Sequence, residues 1–203
     1  MMNNAQIRKT LKNLAERKEI LDDWSAGFLE SVQYQFDTGR NLSSRQIEII
    51  QRISSENTEE MLRLQQNFKD LWLSDGYKER WDICISYYEQ AGTYNRRSVA
   101  LARRNKDYIP LLKEYKKVVE NKYAQGVLEA WYSEPKYPVT SLVRIRQTAP
   151  VNQRGSVGCI VLKTNVCAPK THARGGKVYL VMPMGSTRPL EIEERHLKKF
   201  KRS

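Results

Sequence analysis

Three short apolar runs follow residue 139, and each is bounded by Gly, Pro or Ser/Thr clusters. They are Leu142–Ile145, Cys159–Leu162 and Val178–Met182. Runs of four to eight residues rich in β-branched side chains, closed by turn residues at both ends, fit strands and are too short for core helices. In the first run Arg144 and Arg146 alternate with Val143 and Ile145. Period-two alternation assigns the arginines to one face and the apolar pair to the other. Gly155 and Gly158 bracket the entry to the second run, where a glycine in a strand pattern predicts a bulge or sharp bend. Met184-Gly185-Ser186-Thr187 reads as a hairpin turn into Leu190 and Ile192. The segment Glu193–Leu197 suits a single helical turn, and Lys198–Arg202 a last strand.

The preceding residues carry helical punctuation instead. Asn3 or Asn4 caps a first helix whose stripe is Ile7, Leu11 and Leu14. Asp22 or Asp23 opens a second, with Trp24, Phe28, Val32 and Phe36, closed by Gly39. Ser43 and Gln46 have capping-box spacing ahead of Ile47, Ile50 and Ile53. Thr58 caps a fourth helix. A fifth spans Tyr77–Gln90 and ends at Gly92, and a sixth starts near Asn95. Pro110 is placed in the first turn of a seventh, and Asn121 opens an eighth. Pro135 and Pro138 then break helix. The expected class is α+β: an α-helical domain over residues 1–134, then a small C-terminal β-barrel over residues 139–203.

Five short strands with one long loop fit a small closed barrel. The strand order, the Gly155-Ser156-Val157-Gly158 step and the late single turn resemble the SH3-like barrels of KOW and Tudor modules. That resemblance covers the last third of the chain and implies a contact surface for nucleic acid or peptide, not catalysis. The phrases Leu42-Ser43-Ser44-Arg45-Gln46 and Asn121-Lys122-Tyr123-Ala124-Gln125 resemble patches of small early proteins of tailed bacteriophages, a likeness that carries no defined activity.

Charge then points to a class of partner. The 203-residue chain has a formal net charge of +12. Residues 1–90 hold 12 basic and 15 acidic side chains, whereas residues 91–203 hold 23 and 8. The basic surface therefore belongs to the back half, and its expected partner is a polyanion, nucleic acid first (DNA or RNA). Arg96, Arg97, Arg103 and Arg104 fall within about 120° of one another on a helical wheel. With the Tyr77–Gln90 helix and the turn before them they give the outline helix, short turn, helix. Lys113, Lys116 and Lys117 extend this surface, with Tyr115 and Tyr123 as stacking candidates or core residues. In the C-terminal module Arg144, Arg146, Lys170, Arg174 and Lys177 are the expected phosphate contacts. The last three lie in the long loop Lys163–Lys177, which lacks the GxxxxGK[ST] pattern of a nucleotide-binding P-loop.

Other chemistries find less support. Cys159, Cys167, His172 and His196 are of metal-ligating type, but no CxxC or HxxxH spacing joins them, so no metal or other cofactor is expected. Asp22-Asp23, Glu59-Glu60 and Glu193-Glu194 are adjacent pairs, which do not face each other on a helix. No active site assembles, and the reading is a non-enzymatic nucleic-acid-binding protein. Two alternatives stand beside it. One is a protein-interaction adaptor, phage-encoded or otherwise, binding a host or replication protein through the acidic helical part with Trp24, Trp72 or Trp81 exposed. The other is a metal-dependent nucleic-acid enzyme built on scattered carboxylates. An odd cysteine count, a polar N-terminus and the lack of a long apolar segment place the chain in the cytoplasm (of a host, for a viral protein), away from membranes.

Overall fold

The computed structural model describes residues 2–154, 158–168 and 176–200. Among them the protein is α+β, with eight α-helices ahead of a five-stranded antiparallel sheet. The chain divides into two compact units, Met1–Asp75 and Gly76–Ser203.

The first unit holds α1 (Asn4–Glu16), α2 (Asp23–Asp37), α3 (Ser44–Glu56) and α4 (Glu59–Leu71). Each start is fixed by the side chain just before it. Asn3 and Gln6 close a reciprocal capping box on α1, Ser43 and Gln46 one on α3, and Asp22 and Thr58 cap α2 and α4. Each such cap satisfies a backbone N–H that the helix leaves orphaned, typically worth about 1 kcal/mol. The predicted stripes then meet: Ile7, Leu11 and Leu14 pack with Leu29, Val32, Ile50 and Ile53. Where α3 ends, buried Asn57 donates to Ile53 O, and Arg17 donates to Asn57 O. Phe68 and Trp72 are buried edge to face on α4.

The second unit begins with α5 (Tyr77–Ala91), α6 (Arg96–Arg104), α7 (Leu112–Val119) and α8 (Lys122–Tyr132). Gly92 ends α5 in the left-handed region, at φ +70°, as a helix-terminating glycine should. Pro110 precedes α7 rather than standing in its first turn, because Leu111 is extended and forms the N-cap. Asn121 caps α8 by accepting from the N–H groups of Tyr123 and Ala124, while its amide donates to Tyr88 on α5. The aromatic centre is Trp81, stacked 6.3 Å from Tyr115, which meets Tyr77 edge on.

The strands are β1 (Leu142–Ile145), β2 (Gly158–Lys163), β3 (Val178–Pro183), β4 (Leu190–Glu193) and β5 (Leu197–Lys199), in the order β4-β3-β2-β1-β5. All five contribute to one core: Val143 and Ile145, Cys159 and Val161, Tyr179 and Val181, Ile192, and Leu197, with Tyr137 against them. The sheet is not closed. β4 and β5 occupy opposite edges, and the 3-10 turn that joins them (Glu194–His196) carries the chain from one edge to the other with no ladder between the two strands. The expected boundary between residues 134 and 139 lies inside the second unit, at the step from α8 to β1.

Gly158 serves a purpose other than the bulge its position predicts. The register shift of β2 against β3 falls between Val161 and Lys163. At Gly158 the requirement is space, since a Cβ there would stand 2.8 Å from Cε2 of Phe200. Gly158→Ala is therefore expected to cost about 1–3 kcal/mol by overpacking. Trimming the opposing ring with Phe200→Leu should recover most of the loss, and denaturant melts of the two single variants and the double variant measure it. Residues Gly155, Ser156 and Val157, and those beyond Phe200, lie outside the described residues.

Several tyrosine hydroxyls in this unit are held neutral. Burial, then the Glu194 carboxylate that its hydroxyl donates to, pushes Tyr179 well above the usual phenol range, and burial pushes Tyr115 up to about 12. A folded-state value above the unfolded one gives stability that is complete below the ordinary value of 10.0 and lost as pH climbs through the raised values. The expected outcome is alkaline unfolding that starts above pH 10, with tyrosinate absorbance and loss of helical circular dichroism rising together. Full ionisation near the ordinary value with the fold intact would contradict the buried placement.

Candidate nucleic-acid interface

The arginine face of α6 is built from the turn before it. Gly92 and Asn95 both have positive φ, at +70° and +52°, and bracket Thr93 and Tyr94 between α5 and α6. On the inner side Ser98 is buried, and Val99, Leu101 and Ala102 are half-buried. Ser98 Oγ donates to Glu114 Oε1 at 2.7 Å, and Tyr108 OH donates to the other oxygen, Oε2, at 2.6 Å. One carboxylate on α7 thus fixes α6 and the segment that follows it. The outer side is then what the periodicity predicts: Arg96, Arg97, Arg103 and Arg104 are all exposed.

The four arginines are not equivalent. Arg103 is held by Glu89 of α5 through both carboxylate oxygens, its Nη2 2.6 Å from Oε2 and its Nε 3.1 Å from each oxygen. The pair is about half exposed, so its net worth is small, but it orients the guanidinium. Hydrogen bonding to Glu89 holds Arg103 above the ordinary arginine range. Arg96 Nε donates to Gly92 O at 3.0 Å, which aligns it along the turn. On α7, Lys113, Lys116 and Lys117 are exposed beside buried Tyr115 and Val118. Tyr115 belongs to the core. Tyr123 is exposed, with Lys122 Nζ over its ring.

The C-terminal candidates divide further. Arg144 is half-buried, its guanidinium 5.1 Å from the centroid of Phe200 and its Nε enclosed without a hydrogen-bond partner. Arg146 is exposed, and its Nε donates to Leu197 O at 2.8 Å. Lys170 and Arg174 lie outside the described residues, as does His172. Lys177 is a correction. It is 3 % exposed, and its Nζ donates to Trp131 O at 2.8 Å and to Asn165 Oδ1 at 3.3 Å. Burial holds it below the usual lysine range, against the opposing pull of Glu194 and Glu134. A charge spent on an internal carbonyl is not available to a phosphate.

Two features received no role from the sequence, although Tyr94 opens the stretch Tyr94–Lys106 that it singles out. Tyr94, 71 % exposed at the tip of the α5–α6 turn, offers a ring beside the arginine face; its signal was an aromatic residue inside a Gly–Asn turn. Glu89, the carboxylate in the midst of the cations, was visible only as a residue of the preceding helix. Among the described residues no three His, Cys, Asp or Glu side chains cluster as metal ligands. Cys84 and Cys159 are buried and in no disulfide, with burial pushing the Cys84 thiol up to about 12. Trp72 and Trp81 are buried, whereas Trp24 is exposed and stacked on Phe28. No helix among the described residues is long and apolar enough to cross a membrane. Comparison with protein-family models, curated proteins and solved structures finds no match.

Lys177→Met keeps the stem and leaves Trp131 O with its second donor, Asn165 Nδ2. In a mobility-shift assay with nucleic acid it should behave as the wild-type chain does at every salt concentration. Lys177→Glu, which buries a carboxylate against that carbonyl, is expected to cost at least about 3 kcal/mol, read as a lowered melting temperature.

Proposed function

We propose that the chain is a non-enzymatic nucleic-acid-binding protein whose contacts are mainly to phosphate. The observation that carries this reading is the solvent-facing arginine row of α6, held by a half-buried carboxylate and set in a unit with 25 basic and 11 acidic residues. Arg96, Arg97 and Arg104, with Lys113, Lys116 and Lys117, supply the cations, and Arg103 is shared with Glu89. Guanidinium groups meet phosphate oxygens in planar, paired geometry, and one reaching a groove edge would add base readout. Tyr94 and Tyr123 add exposed rings for stacking. The C-terminal sheet is read as an open variant of the SH3-like arrangement. Support comes from β1 pairing with both β2 and β5 and from the single 3-10 turn ahead of the last strand. Arg146, Lys170 and Arg174 would extend the surface there.

A second reading, an adaptor that binds another protein through the acidic first unit, draws on Trp24, 55 % exposed on α2.

The test is a mobility-shift panel of single- and double-stranded DNA and RNA at two salt concentrations. Affinity should fall steeply with salt, because each neutralised phosphate releases counterions. Replacing Arg96, Arg97 and Arg104 by Ala should weaken binding on every sequence and flatten the salt slope by about one per lost contact. Glu89→Gln, which removes the competing carboxylate, should tighten it. A flat salt response, or retention of protein partners with no nucleic acid, would move the conclusion to the adaptor.

A further inference from the structure

The first unit contains a groove whose electrostatics run against the rest of that unit. It lies between α1 and the connection from α2 to α3, and has a volume of about 790 Å³. Its floor is apolar, formed by Met2, Ile7, Phe36, Leu42 and Ile47. Its rim carries Arg8, Lys9, Lys12 and Arg40, and no carboxylate lines it. Arg8, Lys9 and Lys12 stand within about 100° of one another on α1, and the Arg8 guanidinium lies 5.7 Å from the Phe36 ring centroid.

Four of the six other cations of the unit are matched, Arg17 with Glu59, Lys18 with Glu30, Arg45 with Glu48, and Lys69 with Glu19, and the remaining two, Arg52 and Arg63, do not line the groove. Among the described residues the four rim cations form no ion pair. Four unmatched charges around an apolar floor call for a ligand that brings both carboxylates and apolar side chains. We propose that this groove docks an acidic peptide segment of another protein, its apolar side chains on the floor and its Asp or Glu residues on the rim.

Nucleic acid fits less well. The unit as a whole holds 10 basic and 12 acidic residues, so it exerts no long-range pull on a polyanion, and charges beyond about 10 Å are screened. The floor is mainly aliphatic, with Phe36 the one aromatic ring in the lining, and the uncharged polar side chains are limited to Asn4 and Asn41, so it gives bases little to stack on. A cavity of this size admits several side chains, and the charged rim would set the register of an otherwise greasy contact. The site lies in the other unit from the arginine row and does not rest on the nucleic-acid reading.

Selection of a displayed library of random peptides on the full chain tests this. The enriched sequences should carry Asp or Glu flanking Leu, Ile or Phe. A labelled member should lose about tenfold or more of its affinity for the Lys9→Glu/Lys12→Glu variant and keep it for Lys9→Arg/Lys12→Arg. Circular dichroism should show both variants folded, and both should shift nucleic acid as the wild type does, which separates failure here from failure of the nucleic-acid reading. Enrichment without acidic residues, or equal binding to the charge-reversed chain, would overturn the proposal. So would displacement of the peptide by an oligonucleotide as readily as by itself, or self-association abolished by the charge reversal, which would assign the groove to nucleic acid or to a second copy of the chain.

Discussion

The backbone carbonyl of Trp131 is the point at which the second unit becomes one body. It lies near the end of α8, where helix carbonyls lose their intrahelical partners. Two side chains from the segments flanking β2 and β3 supply replacements, Asn165 Nδ2 just after β2 and Lys177 Nζ just before β3, each at 2.8 Å. An ammonium so deeply enclosed is tolerable only because its donors are used, and the helix end is tolerable only because something donates to it. Each group thus removes the other's penalty. The result ties the helices that carry the arginine row to the sheet, across a proline-containing connection that alone would leave them loosely tethered.

The same logic of mutual satisfaction shapes the basic surface. Arginines and lysines crowded on one helix repel one another, and the protein offsets this by placing carboxylates on particular sides. Glu114 works from beneath, where it takes two hydroxyl donors. Glu89 works from the flank, where it engages one arginine and leaves its neighbours facing solvent. The four arginines are therefore not equivalent: Arg103 shares its charge with a carboxylate, and Arg96 is aligned by the carbonyl of Gly92.

Local chemistry was legible in the sequence, and long-range chemistry was not. The caps at Asn3, Ser43, Thr58 and Asn121 could be read because each depends on residues two or three positions away. The strand runs and the hairpin at Gly185 were legible because alternation and turn residues are equally local. The partner of Lys177 lies 46 residues away in the chain, so a lysine in a loop looked like a surface cation. Openness of the sheet depends on how β4 and β5 end relative to each other, which no window of sequence contains. The basic rim of the first unit was hidden by averaging: Arg8, Lys9, Lys12 and Arg40 vanish into a count offset by the acidic residues of α2, α3 and α4.

Glu114 has one more effect. Because its two oxygens are engaged by hydroxyls from different segments, α6 cannot roll about its axis without breaking at least one short hydrogen bond in a half-buried setting. The guanidinium groups are thereby spaced like marks on a ruler before any ligand arrives. The row is thus a preorganised template rather than a segment that must first be ordered, and the proposed association would have less backbone entropy to overcome.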